Sequence, residues 1–301
     1  MDASKLREDA QSQVAPTSDA HNHGALAAVA AEDARRALAE DLGSGDLTAL
    51  LIEAGQQAQA RVLARETARV CGRPWVEAVL RQVDAQAHIE WKVAEGAAVA
   101  AGDVVFEVRG AARSLLSAER SMLNFLQLLS GVATRCAQYV AAVAGTRARI
   151  VDTRKTLPGL RVAQKYAVRI GGGLNHRMGL YDGILIKENH IAAAGSIEAV
   201  LRRAQALAPP GVFVQIEVET LQQLRQALDA GARLVLLDNM DLQQMRQAVD
   251  IAGGRAQIEV SGGVDLGSVA AIASTGVDRI SIGKLTKDVV ATDYSMRFAG
   301  V

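Results

Sequence analysis

From Gly145 onward the sequence repeats one unit, an apolar, β-branched run that ends in polar residues and is followed by a stretch of helical periodicity. The runs are "ARIVDTRK", "GILIKENH", "VFVQIEVE", "LVLLDNM", "QIEVSGG" and "RISIGK". The later helical stretches are "SIEAVLRRAQALA", "LQQLRQALDAG", "LQQMRQAVDIAGG" and "LGSVAAIASTG". Continuous apolar strands alternating with amphipathic helices require a parallel sheet covered by helices. The last four strands recur about every twenty-two residues, close to the minimal βα unit of a barrel. No glycine-rich dinucleotide turn follows the first strand, so a (β/α) barrel fits better than an open doubly wound sheet. Six strands are legible, which predicts incomplete closure.

The text upstream is of another kind. Residues 25–42 place Leu26, Val29, Leu38 and Leu42 at helical spacing, with Gly43 as a stop. Between about 58 and 110 come short alternating stretches, "QARVLARE", "AHIEWKV" and "VVFEVRG", separated by glycine turns, which predict a small mixed domain with a sheet. Residues 113–130 put Leu115, Met122, Leu126 and Leu129 on one helix face and Arg120 with Asn124 on another. Alone, Arg120 reads as a solvated surface charge. The expected domains are a loose tail at 1–24, a sheet domain at 25–118 rejoined by 289–301, and the barrel at 119–288.

Composition removes several classes of function. Lys plus Arg equals Asp plus Glu at 33 each, so no overall field draws the chain to nucleic acid or an anionic membrane. Aromatics make up 3%, too few for broad base-stacking surfaces. No apolar run approaches the ~20 residues of a spanning helix, and the polar N-terminus lacks a signal-peptide core. Cys71 and Cys136 have no metal-ligand spacing and suit a reducing cytoplasm. His21 and His23 read as ordinary tail residues.

In such barrels the ligand site lies at the carboxyl ends of the strands. One mouth would therefore gather Arg154 and Lys155, Lys187 and His190, Glu217 or Glu219, Asp238, Ser261 with Gly262 and Gly263, and Ser281 with Gly283. Joined by His176 and Arg177 of "GGGLNHRMG", the basic members suit a small polyanion, since Arg gives paired donors to planar carboxylates and Lys a compact charge. Carboxylates opposite can hold sugar hydroxyls, meet Mg²⁺ or stabilise a developing cation. Glu219 shares a strand face with Glu217, which leaves the choice between them open. "SGG" and "SIG" offer backbone N–H groups where many barrels bind phosphate, although such glycines are more often plain turns and "GGG" at 171–173 can simply follow a helix end.

In this order and spacing, "DTRKTLPGLR", "GGGLNHRMGLYDGILIKENHI", "IEVE", "LLDNM", "SGG" and "SIGKLTK" resemble the quinolinate phosphoribosyltransferases, and so do "EDLGSGDLT" and "GAARSLLSAERSMLNFLQLLSGVAT". The resemblance runs from about residue 26 to the end. It implies an N-terminal open-faced α/β sandwich, a C-terminal incomplete (β/α) barrel, and a homodimer whose partner subunit completes each site. The implied reaction joins quinolinate and phosphoribosyl pyrophosphate (PRPP) with loss of CO₂, with Mg²⁺ carried by PRPP near Glu217 and Asp238. Thr153, Arg154, His176, Arg177 and Lys187 would hold quinolinate, with Arg120 reaching in from the neighbouring chain. Lys155, Glu217 and Asp238 would be catalytic, and Ser261, Gly262, Gly263, Ser281, Ile282 and Gly283 would lie on the PRPP phosphate. Lys287 stands where some members have His and is left without a role.

Three other readings compete. A relative associated with molybdenum uptake shares "DTRK", "GGG" and "HR", but "LIKENHI" supplies in Lys187 a carboxylate partner that the relative lacks. "WKVAEGAAVAAGDVVFEVRG" resembles a biotinyl or lipoyl carrier hairpin, yet its turns offer no lysine to modify and Lys92 falls in a strand. A catalytically silent pyridine-dicarboxylate sensor would not need the acidic and phosphate-type residues.

Overall fold

The computed structural model describes residues 19–299. The tail expected at residues 1–24 lies outside them up to residue 18, and a helix begins at Asp19 rather than at about 25. The described residues divide into two compact units, one of 19–137, 156–172 and 284–299, the other of 138–155 and 173–283.

The first unit carries helix α1 (Asp19–Leu42), strands β1 (Gln57–Ala64) and β2 (Ala68–Arg69), helix α2 (Arg73–Val83), strands β3 (His88–Trp91), β4 (Ala98–Val99) and β5 (Val104–Ala111), most of the long helix α3 (Ala112–Ala142), and helix α4 (Arg161–Ile170). Its antiparallel sheet has the order β12-β1-β5-β3, where β12 is the C-terminal strand Tyr294–Phe298. Alternation makes one face apolar: Ala60, Val62 and Ala64 of β1 and Phe106 and Val108 of β5 are buried. Lys92, expected within a strand, lies one residue beyond β3 in a bend, where it pairs with Glu90 and Glu107.

The expected boundary at 118/119 falls inside α3, and the change of unit comes at 137/138. The reason is local bonding: Ser130 Oγ accepts the Cys71 N–H at 2.9 Å and Thr134 Oγ1 accepts the Arg69 N–H at 2.8 Å, which ties this half of α3 to the first unit. As expected, Leu115, Met122, Leu126 and Leu129 line the buried face of α3, while Arg120 and Asn124 are exposed.

The second unit contains a six-stranded, wholly parallel sheet of β6 (Arg149–Val151), β7 (Gly183–Ile186), β8 (Phe213–Val218), β9 (Leu234–Asp238), β10 (Gln257–Ser261) and β11 (Arg279–Ser281), in the order β6-β11-β10-β9-β8-β7. Helices α5 (Glu188–Ala194), α6 (Ile197–Leu207), α7 (Leu221–Asp229), α8 (Leu242–Ala252) and α9 (Val269–Ala273) separate the strands in sequence. A short helix α10 (Lys284–Lys287) follows and belongs to the first unit. In β9, Leu234 to Leu237 are all buried, the pattern of a strand covered on both faces. The loops close on residues that start helices: Ser196, Thr220 and Asp241 accept the N–H of Ala199, Gln223 and Gln244, each cap contributing about 1 kcal/mol.

The sheet keeps two edges, β6 and β7, so the barrel is incomplete as predicted. On the β6 edge a single parallel bridge forms between Val151 and Leu174. That bridge brings the segment after "GGG" to the mouth. The first of these glycines, Gly171, caps α4, so the triplet does follow a helix end.

Candidate active site

The strand registers align the carboxyl ends. Ser281 lies beside Val151, Ser261 beside Asp238, and Leu237 beside Val218, while Ile186 pairs with Ile216 so that Lys187 and Glu217 come level. Passing around the rim, Thr153, Arg154 and Lys155 follow β6, Ile282 and Gly283 follow β11, Gly262 and Gly263 follow β10, Asp238 ends β9, Glu217 lies in β8, and Lys187 follows β7. Arg154 and the His176–Arg177 segment lie at the β6 edge, the glycines follow on β11 and β10, the acids on β9 and β8, and Lys187 stands at the β7 edge, whose first residue, Gly183, the Arg177 side chain reaches.

Each part of the rim has its own local geometry. Asp152, fully buried at the end of β6, accepts the Asn175 side-chain amide at 2.6 Å and the His176 main-chain N–H at 2.8 Å, which fixes the loop before Arg177. Asp182 accepts the N–H groups of Met178 and Gly179 after it. Arg177 Nη1 donates to the Gly183 carbonyl at 2.9 Å. Burial and then the Arg154 guanidinium pull the Arg177 pKa below its ordinary value, with Asp182 acting the other way. Two like charges are thus held near each other and partly out of water, an arrangement that a bound dianion relieves.

Lys187 Nζ lies 3.0 Å from Glu217 Oε2 and 3.3 Å from Oε1. Its main-chain N–H donates to His190 Nδ1 at 3.0 Å, which sets the turn from β7 into α5 and gives His190 a structural task. Glu217 is 12% exposed and faces Lys187, whereas Glu219 is exposed beyond the strand end.

Gly262 (φ 98°) and Gly263 (φ 63°) both have positive φ, a backbone that side chains rarely adopt, so this turn after β10 requires its two glycines. A methyl group on Gly262 would sit 3.7 Å from Asp238 Oδ1, so this turn adjoins the acidic residues of the rim. Ser281 is buried, and the Ile282 N–H already donates to the Val151 carbonyl at 2.9 Å, so its amide serves the sheet. A methyl on Gly283 would lie 2.9 Å from Lys155 Cδ and 3.6 Å from Thr153 Oγ1. Because the crowded atom belongs to a flexible chain, Gly283→Ala should displace Lys155 at little cost to folding. We expect it to lower kcat about ten-fold with a nearly unchanged thermal midpoint, checked by steady-state kinetics beside thermal denaturation. Arg120 lies in the other unit, exposed on α3.

Comparison with known proteins gives this rim its family. The family described as quinolinate phosphoribosyl transferase, C-terminal domain, matches residues 132–297, and the corresponding N-terminal domain matches residues 46–130. The chain belongs to the quinolinate phosphoribosyltransferase family. It is 41% identical over 257 residues to a probable nicotinate-nucleotide pyrophosphorylase (carboxylating) of Bacillus subtilis, covering 85% of this chain and 89% of that protein. It is 42% identical over 272 residues to the nicotinate-nucleotide pyrophosphorylase (carboxylating) of Mycobacterium leprae, covering 87% and 94%. Among solved structures, the nicotinate-nucleotide pyrophosphorylase of Francisella tularensis superposes with a TM-score of 0.88 at 43% identity, covering 90% of this chain and 96% of that one.

This quinolinate phosphoribosyltransferase fold also holds polar residues that reading the strand ends overlooks. Gln215, Glu259 and Arg279 are buried within their strands, and Asp152 is buried at the end of "RIVD". Arg279 Nε donates to Glu259 Oε2 at 2.8 Å, between residues in register on β11 and β10. The available signal was parity: Gln215 stands two residues before Glu217 and so shares its strand face.

Proposed function

We propose that this chain transfers the phosphoribosyl group of PRPP to quinolinate with loss of CO₂, giving nicotinate mononucleotide and pyrophosphate. The observation that carries the reading is one rim with cations at its β6 and β7 edges, glycines on β11 and β10, and acids on β9 and β8. Arg154, Arg177 and Lys187 grip the two carboxylates, with Thr153 and the His176 segment at their side. Gly262, Gly263 and Gly283, flanked by Ser261, Ser281 and Ile282, receive the 5′-phosphate. Glu217 and Asp238 face the ribose.

In that arrangement the quinolinate nitrogen attacks C1 of the ribose and the C1–O bond to pyrophosphate breaks. Positive charge developing on the sugar meets the pre-aimed carboxylates of Glu217 and Asp238, which stabilise it without reorganising. Lys155 balances negative charge beside the departing group or the reacting carboxylate. The pyridinium ring then takes the electrons left when the 2-carboxylate departs as CO₂, and C2 gains a proton. Holding both reactants in line is the larger part of the protein's work.

Mg²⁺ enters as part of the PRPP substrate, where it neutralises pyrophosphate charge. Among the described residues no cluster of three or more His, Cys, Asp or Glu is placed to hold a metal. Glu217 and Asp238 are the carboxylates proposed near that ion, a hard cation that takes oxygen ligands mostly from phosphate.

The site is further proposed to be shared in a homodimer, with Arg120 of one subunit serving the other. Its exposure on α3, and the exposed Leu47, Leu50 and Leu51 of the same unit, support a partner there. Mixing inactive Arg120→Ala protein with inactive Lys155→Ala protein should restore partial activity through hybrid dimers. No recovery after verified subunit exchange counts against a shared site. No described helix is long and apolar enough to cross a membrane. The buried thiols of Cys71 and Cys136, neither in a disulfide, support a reducing, cytoplasmic setting.

The reaction is tested by incubating the protein with quinolinate, PRPP and Mg²⁺ and measuring nicotinate mononucleotide and CO₂, with nicotinate as the control acceptor. Equal amounts of both products from quinolinate alone are expected. Transfer to nicotinate, or no transfer, overturns the reading.

A further inference from the structure

Both ring nitrogens of His176 are committed inside the barrel unit. Nδ1 accepts the Arg177 main-chain N–H at 2.8 Å and therefore carries no proton. The imidazole is then the neutral form protonated at Nε2, which donates to Gln215 Oε1 at 2.8 Å. Beside this pair lies the buried Glu259–Arg279 ion pair, with Glu259 fully buried. Glu259 Oε1 is 3.8 Å from His176 Nε2 and has no hydrogen-bond partner among the described residues, and neither has Gln215 Nε2. Buried polar atoms without partners cost free energy, and a barrel core of Val and Leu would avoid them. Their presence around one imidazole needs a reason.

We propose that Gln215 and the Glu259–Arg279 pair are positioning residues for the quinolinate site, holding His176 as a neutral imidazole whose Nδ1 fixes the main chain of Arg177. His176 then orients the arginine clamp and brings no charge of its own to the substrate. The inference rests on the quinolinate reading above and gives that site an inner support.

The consequence is a pH dependence of definite sign. Among the described residues, groups facing His176 include Asp152 at the end of β6, Glu259 on β10, Arg279 behind it on β11, Arg177 next in the chain, and Gln215 with the Phe213 ring edge on β8. Protonating Nδ1 sets an N–H against the Arg177 N–H, two donors facing each other, so the Arg177 main chain must move. As pH falls through the imidazole titration the clamp loosens and quinolinate binding weakens. A cationic His176 placed directly on a carboxylate gives the opposite sign, because protonation then strengthens binding.

The test measures the quinolinate KM of the full-length enzyme at saturating PRPP between pH 8.5 and 5.5. Gln215→Met, Gln215→Glu and His176→Gln proteins are measured beside it. The wild-type quinolinate KM should rise several-fold on acidification, and His176→Gln should flatten that rise. At pH 8, Gln215→Met should raise the quinolinate KM about ten-fold with kcat within about two-fold, the loss of a buried acceptor acting through the clamp. Gln215→Glu keeps an acceptor for Nε2–H and should restore the KM at pH 8, but its added carboxylate favours the imidazolium and moves the rise to higher pH. A purely structural Gln215 has no means of moving the profile. A wild-type KM that falls on acidification overturns the proposal even if Gln215→Met fails to fold, and so do Gln215 variants with the wild-type KM and profile. If the wild type does not turn quinolinate over at all, the proposed function has failed instead.

Discussion

Arg154→Ala and Arg177→Ala proteins are each expected to show a quinolinate KM raised about ten-fold or more, with the PRPP KM little changed. A charge-assisted hydrogen bond contributes about 1.5 to 3 kcal/mol, and each guanidinium offers a paired set to a planar carboxylate. The two cations already oppose each other in the absence of substrate, since Arg154 helps to depress the Arg177 pKa. A dianion between them converts that repulsion into attraction, so the gain on binding belongs to the pair. Arg177→Lys should not recover the loss, because an ammonium cannot both donate to the Gly183 carbonyl and fork onto a carboxylate. Unchanged quinolinate affinity in both alanine variants removes them from the site.

Glu217→Gln should separate the two halves of the rim. Loss of a pre-aimed charge at the sugar predicts a fall in kcat of about 10²- to 10³-fold, taking the cost of deleting one electrostatic stabiliser as the guide. Quinolinate binding should move the other way. Without ligand, Glu217 holds Lys187 at 3.0 Å, and that contact competes with the substrate carboxylate for the same ammonium. Removing the charge of Glu217 leaves Lys187 to the substrate, so the quinolinate KM should stay level or fall while kcat collapses. Lys187→Met should do the reverse and raise the KM. A Glu217→Gln protein with near-normal kcat and a raised quinolinate KM contradicts this division of labour.

Much of this site was legible because parallel strands have one carboxyl edge. Once "RIVDTRK", "LIKENH", "IEVE" and "LLDNM" were strands, their polar ends had to meet at one rim, and the registers show that they do. What stayed hidden depends on distance in space. Glu259 and Arg279 pair because β10 and β11 are neighbours in register, a fact that a separation of 20 positions in sequence does not announce. The two glutamates at 217 and 219 share a face by parity, and only the level of Lys187 on the adjacent strand separates them. The change of unit inside α3 was hidden for a similar reason, since helical periodicity runs unbroken through Ala142 while its partners at Arg69 and Cys71 lie sixty residues earlier.

A structure with quinolinate bound would test the central claim most directly. Both carboxylates should lie against Arg154, Arg177 and Lys187, with the Lys187–Glu217 contact broken and the ring nitrogen turned toward Glu217 and Asp238. A diacid seated away from these cations, or one that leaves Lys187 on Glu217, contradicts it.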